Sequence, residues 1–101
     1  MIDEAERLQR MAQLRDEIFE CDQEFVRIVS RRRSIVAEIG EIKRELGLPI
    51  TDPQREAAVV RRAAELARTG GTDEELVRDL IWRIMAAARE EQQVETGAPD
   101  E

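Results

Sequence analysis

Five polar residues in this chain sit on or beside apolar helical stripes, and their types suit electrostatic chemistry better than acid–base or nucleophilic chemistry. Arg32 fills the slot between Ile28 and Ile35 in a long apolar seam. A charge buried without a partner costs about 3–5 kcal/mol, so an anion is expected to meet it. An internal ion pair, or a stem whose head reaches water, is the commoner explanation for a lone Arg. Arg15 and Lys43 lie on one flank of the same seam, four heptads apart. Taken singly, each is an ordinary solvated charge. With Arg32 they put three cations along one stripe. At 1.5 Å per residue Lys43 is about 16 Å from Arg32, near enough for both side chains to converge on a ligand of modest size. Arg15 is about 25 Å from Arg32 and about 42 Å from Lys43, so it cannot join them from the same helix, whereas an antiparallel second copy could bring its own Arg15 in. Arg31 and Arg33 point elsewhere on the helix and are expected to be solvated.

Two further residues aim inward from other segments. Glu56 shares a helical face with Val59, Val60, Ala63 and Ala67, and Gln92 continues the stripe Ile81, Met85, Ala88. An acid in a first turn suits the helix dipole, and an amide near a frayed end is unremarkable. Five inward polar residues together read as a pocket rather than as five accidents.

Three helices must position these groups. From Asp3 to Leu46 there is no Pro and only one Gly, Gly40. Apolar residues recur at Met11, Leu14, Ile18, Cys21, Phe25, Ile28, Ile35, Ile39, Ile42 and Leu46, in alternating steps of three and four. Gly47 and Pro49 supply the stop. Asp52-Pro53 reads as an N-cap with proline in the first turn, opening an Ala-rich helix that runs to about Arg68 and is broken by Gly70-Gly71. Thr72-Asp73-Glu74-Glu75 looks like a capping box for a third helix. Its predicted buried stripe is Val77, Leu80, Ile81, Ile84, Met85 and Ala88, and it reaches about Gln93. Residues 1–93 are thus expected to form one helical domain. Residues 94–101, with Gly97, Pro99 and acids, read as a disordered acidic tail. A first helix of roughly 44 residues spans about 65 Å, too long for the two shorter helices to cover. The expectation is a homodimer in which a second copy buries the remainder.

Composition narrows the function classes. Of 101 residues, 39% are charged and 3% aromatic, with no Tyr, which favours amphipathic helices over a sheet. A net charge of −7 argues against nucleic acid as a partner but leaves room for a small anion in a locally cationic pocket. There is no His, and Cys21 is the only Cys. Zinc sites, most transition-metal sites and His-dependent triads are therefore excluded. A lone Cys, with no signal peptide and no membrane-length apolar run, points to the cytoplasm and to no membrane.

The ordered set Leu14-Arg15-Asp16-Glu17-Ile18 with Asp22, Arg31-Arg32, Gly40-Glu41-Ile42-Lys43, Leu48-Pro49-Ile50-Thr51-Asp52-Pro53-Gln54-Arg55-Glu56 and Gln92 resembles the all-helical chorismate mutases, from about Met11 to Gln93. No single piece is decisive; their spacing in order is. The resemblance implies an intertwined antiparallel all-α homodimer with two shared active sites. It implies conversion of chorismate, a dianion, to prephenate in aromatic amino acid biosynthesis, with no cofactor and no metal. By the same resemblance, Arg15 of the partner subunit and Arg32 clamp the substrate's carboxylates, and Lys43 and Gln92 donate to its ether oxygen. Glu56 and the backbone at Asp52 hold the ring hydroxyl, and Arg55 lies beside the pocket. Ala88 stands where the family often has Ser, so only a backbone N–H can serve there.

Three alternatives stay open. Isochorismate pyruvate-lyases share the fold and the cationic clamp, but tend to have an apolar residue where Glu56 stands. A mutase acting on 4-amino-4-deoxychorismate is a second relative, and Ala88 bears on that choice. A non-catalytic helical interaction module explains the long seam but not the inward Arg32, Glu56 and Gln92. Association with another enzyme of the shikimate pathway is left open.

Overall fold

The computed structural model describes residues 3–95, with side chains through Gln92. Among them are three helices and no strand: α1 (Glu4–Leu46), α2 (Pro53–Thr69) and α3 (Glu74–Glu95). The expected tail lies outside the described residues from 96 onward, and α3 runs two residues further than its sequence pattern indicates.

Each helix boundary has a local cause. Asp3 caps α1, its Oδ1 accepting from the Glu6 N–H at 2.8 Å. At the other end Gly47 takes φ +69. Its N–H donates to the Arg44 carbonyl and the Leu48 N–H to the Lys43 carbonyl, at 3.3 and 2.8 Å. That is a Schellman stop, and it needs the left-handed conformation glycine adopts without penalty. Asp52 opens α2, its Oδ1 accepting from the Arg55 N–H at 3.1 Å ahead of Pro53. The end of α2 repeats the glycine device: Gly71, at φ +71, is the left-handed residue. Thr72 and Gly71 N–H groups reach the Ala67 and Arg68 carbonyls. The start of α3 differs from the predicted Thr72 capping box. Asp73 is the cap, and its Oδ1 accepts from both Glu75 N–H (2.9 Å) and Leu76 N–H (3.3 Å). A carboxylate serves two orphan donors from one oxygen, where a hydroxyl makes a weaker acceptor.

The chain divides into two compact units at the Ile35–Val36 boundary. The first carries α1 up to Ile35. Its apolar seam faces solvent: Phe25 is 52% and Ile28 65% exposed. The second holds the last turns of α1 with the α2–α3 hairpin. Ala64 and Ala67 of α2 and Met85 of α3 are its buried apolar core. Alanines let the two helix backbones approach closely, and an unbranched Met fills the gap that remains. Most of the predicted α3 stripe is half-buried, but Leu80 is exposed, and Trp82 and Leu66 face outward. Arg68 clamps the turn between the helices, with Nε 2.7 Å from Glu74 Oε1 and a second contact of 3.3 Å to Oε2. That hydrogen bond holds the Glu74 carboxyl below its ordinary range, against a smaller opposing effect of desolvation.

Candidate active site

Gln92 is the most telling side chain in the second unit: an amide near a helix end that is only 6% exposed. Its Nε2 donates to the Val36 carbonyl of α1 at 3.0 Å. Space for it comes from Gly40, the one buried residue of α1. A Cβ at Gly40 would stand 2.9 Å from Gln92 Nε2 and 3.4 Å from its Cδ and Cγ. The single glycine of the long helix is therefore a seat for an amide. The carbonyl that receives this amide already belongs to the helix ladder, so the bond fixes the side chain without consuming it. An amide nitrogen carries two hydrogens, and one remains free to donate.

Lys43 lies one turn beyond Gly40 and is half-buried. Its Nζ donates to the Ile50 carbonyl at 3.1 Å, in the loop that follows the Gly47 stop. An ammonium has three hydrogens, so this bond steers the side chain and leaves two. Val36, Gly40 and Lys43 succeed one another at steps of four and three, which places Gln92's anchor and Lys43 on one face of α1. Two hydrogen-bond donors, one of them cationic, are thus each steered by a backbone carbonyl, Lys43 from the α1 face to which Gln92 is anchored.

Glu56, in the first turn of α2, is also partly buried, but its partner was not anticipated. Arg89 of α3 places Nε 2.9 Å from Glu56 Oε1, with the two side chains 33% and 17% exposed. Both of those atoms are shielded from solvent and neither completes a hydrogen bond. The contact is a close charge pair with the N–H poorly aligned, which leaves an acceptor site on the carboxylate unmet. The Arg89 guanidinium also lies 5.6 Å from the centre of the Trp82 ring, within cation–π range.

The remaining expected residues fall out as follows. Asp52 is committed to capping α2, and Arg55 is exposed beside it. Ala88 is half-buried on the same helix as Gln92, one turn before it. In the first unit Arg15 is exposed and Arg32 half-buried. Among the described residues no carboxylate lies within ion-pair distance of either, so Arg32 has no internal salt bridge there. The second unit thus brings Gln92 to the α1 face that carries Lys43, and separately joins Glu56 to Arg89. No cluster of three or more His, Cys, Asp or Glu among the described residues has the makings of a metal site. No helix among them is long and apolar enough to cross a membrane.

Sequence reasoning missed Arg89 and the purpose of Gly40. Both had a signal. Arg89 lies four residues after Met85 and three before Gln92, a cation inside an apolar stripe by the same test that singled out Arg32. Gly40 is a glycine in the middle of a helix, where it costs about 0.5–1 kcal/mol relative to Ala and so asks for a packing reason.

Comparison with known proteins places these features in context. The family model described as chorismate mutase type II matches residues 14–93. A chorismate mutase of Methanocaldococcus jannaschii is 32% identical over 69 residues, covering 68% of this chain and 70% of that protein. The T-proteins of Enterobacter agglomerans and Haemophilus influenzae are 36% and 31% identical over 72 and 78 residues. Those stretches cover 71% and 77% of this chain but only 19% and 21% of the T-proteins, so it spans about a fifth of their length. No solved structure matches the chain significantly.

Proposed function

Because the chain belongs to the chorismate mutase type II family, we propose that it is an isomerase that rearranges chorismate to prephenate for aromatic amino acid biosynthesis, by clamping two carboxylates and stabilising charge on an ether oxygen. The observation that carries the mechanism is the buried Gln92 amide, seated on Gly40 and anchored to the Val36 carbonyl, on the α1 face that also presents Lys43.

The reaction is pericyclic. One C–O bond breaks while one C–C bond forms, with no proton to move and no covalent intermediate, which suits a chain without His. What the protein must supply is geometry and charge. Chorismate carries two carboxylates, and holding both folds the enolpyruvyl arm over the ring; Arg32 with Arg15 of the partner subunit suits that task because a guanidinium fork matches a carboxylate. As the C–O bond breaks, negative charge grows on the ether oxygen. The spare hydrogens of Lys43 and Gln92 meet that charge better than they meet the ground state, which is the condition for acceleration. Glu56, with its unmet acceptor, takes the ring hydroxyl, and the backbone at Asp52 and Ala88 with the Arg55 side chain completes the surroundings.

A homodimer with shared sites is part of this reading. Its support is the solvent-facing seam of α1, where Leu14, Ile18, Phe25 and Ile28 are all at least 43% exposed, together with an Arg32 that pairs with no carboxylate among the described residues. An antiparallel second copy buries the first and delivers Arg15 beside the second. Residues 1–93 act as the catalytic domain. We place the protein in the cytoplasm, where the exposed free thiol of Cys21 stays reduced.

The test is to incubate purified protein separately with chorismate, isochorismate and 4-amino-4-deoxychorismate and to identify the products, alongside Arg32→Ala, Lys43→Ala and Arg31→Ala. Prephenate from chorismate is expected, with the first two substitutions lowering kcat/KM by at least about 100-fold and the outer-face control near normal. Near-normal turnover in a folded Lys43→Ala protein refutes the mechanism, and release of pyruvate from isochorismate as the principal activity refutes the reaction.

A further inference from the structure

Arg89 is a half-buried cation of the second unit that the proposed mechanism leaves without a task, and its surroundings suggest one. It stands on the inward stripe of α3 between Met85 and Gln92, with Nε 2.9 Å from Glu56 Oε1 and its guanidinium against Trp82. The Trp82 ring, 5.6 Å from the guanidinium, adds a cation–π contact that helps hold Arg89 beside Glu56. The pair is close but poorly aligned, and Glu56 Oε1 accepts no hydrogen bond from it. Arg89 thus supplies charge at the shielded Oε1, while the other carboxylate oxygen, which has no partner among the described residues, is left to accept from something else.

We infer that Arg89 is a specificity-determining residue for the ring substituent that Glu56 holds, selecting a neutral hydroxyl over an ammonium. The inference rests on the reading that Glu56 faces that substituent. A bare carboxylate in a partly buried site attracts a cation more strongly than a hydroxyl. With Arg89 in place the positive charge is already provided. An ammonium within hydrogen-bond reach of Glu56 then lies within a few ångströms of the guanidinium as well, and like charges at such distances repel strongly where water is partly excluded. A hydroxyl brings no charge and donates its hydrogen to the other oxygen of the Glu56 carboxylate. The pair therefore favours the hydroxyl of chorismate over the amino group of 4-amino-4-deoxychorismate. Arg89 acts through Glu56, as a positioning and charge-compensating residue, and has no part in the bond-breaking step.

The experiment measures kcat/KM for both compounds with wild type, Arg89→Gln, Arg89→Leu and Arg89→Lys, each checked for helicity. Wild type is expected to prefer chorismate. The ratio of chorismate to amino compound should fall by at least about tenfold in the Gln and Leu variants, the scale on which a nearby like charge acts through partial screening. Arg89→Lys, which keeps the charge, should restore most of the preference. A purely structural role for Arg89 lowers both activities together and leaves their ratio in place. A ratio within twofold of wild type in either neutral variant overturns the inference, as does a wild-type protein that turns over the amino compound as well as chorismate. A wild-type protein inactive on both refutes the underlying reaction instead, and is read separately.

Discussion

Replacing Gly40 with Ala separates stability from catalysis in one substitution. The added Cβ would stand 2.9 Å from Gln92 Nε2, closer than real contacts allow, and 3.4 Å from Cδ and Cγ. Since the offending atom is the far end of a flexible side chain, the amide moves rather than the backbone. Moving it breaks the 3.0 Å bond to the Val36 carbonyl, a loss of about 0.5–1.5 kcal/mol. Against that, Ala in place of Gly within a helix gains about 0.5–1 kcal/mol. The two nearly offset, so the net change is within about 1 kcal/mol and Tm moves by no more than roughly 4–8 °C. Catalysis has no such compensation. Deleting a donor that meets developing charge costs about 100- to 1000-fold in kcat, and displacing one should cost at least about tenfold. Thermal melting by circular dichroism and steady-state chorismate consumption measure the two sides. The Gly40→Ala, Gln92→Ala double variant should be little worse than Gln92→Ala alone, because both act on one group. A folded Gly40→Ala protein with kcat within twofold of wild type would refute the reasoning, since the seat built for the amide would then be irrelevant to the chemistry.

Gln92→Glu should move the activity optimum to acid, because only a protonated carboxyl can donate to the ether oxygen, and an ionised one also faces the Val36 carbonyl unfavourably; full activity at neutral pH argues against Gln92 as the donor. Glu74 has its folded-state carboxyl held low by the Arg68 hydrogen bond, so its contribution to stability is complete above the ordinary carboxylate value of about 4 and disappears as pH falls through the lower folded value. The Tm difference between wild type and Glu74→Gln should accordingly shrink on acidification, and a difference that grows contradicts the assignment. Arg15→Ala and Arg32→Ala proteins should each be nearly inactive, yet regain about a quarter of wild-type activity when unfolded and refolded together, because half the dimers are then hybrids with one intact site of two. Mass-verified hybrids without activity rule out a site shared between chains.

The sequence by itself determined the three helices, because their boundaries are local matters. Asp52-Pro53 opens α2 and Gly47 closes α1 through bonds that span no more than five residues, so the pattern is readable along the chain. The stop of α2 was legible as a glycine pair, but that Gly71 takes the left-handed conformation, and that Asp73 rather than Thr72 caps α3, depends on the turn's own backbone path. Arg32, Glu56 and Gln92 stood out as candidates because each stands on an apolar stripe, and Lys43 because it flanks the same seam as Arg32. Their partners did not, because periodicity names a face and says nothing about what lies opposite. That Gln92 rests on Gly40, 52 positions earlier, and bonds to Val36 is a product of α3 folding back toward the end of α1. The pairing of Glu56 with Arg89 likewise exists only because α2 and α3 pack through Ala64, Ala67 and Met85, bringing the first turn of one beside the last turns of the other. Local hydrogen bonding fixed the elements; packing across long sequence separations decided which charges meet.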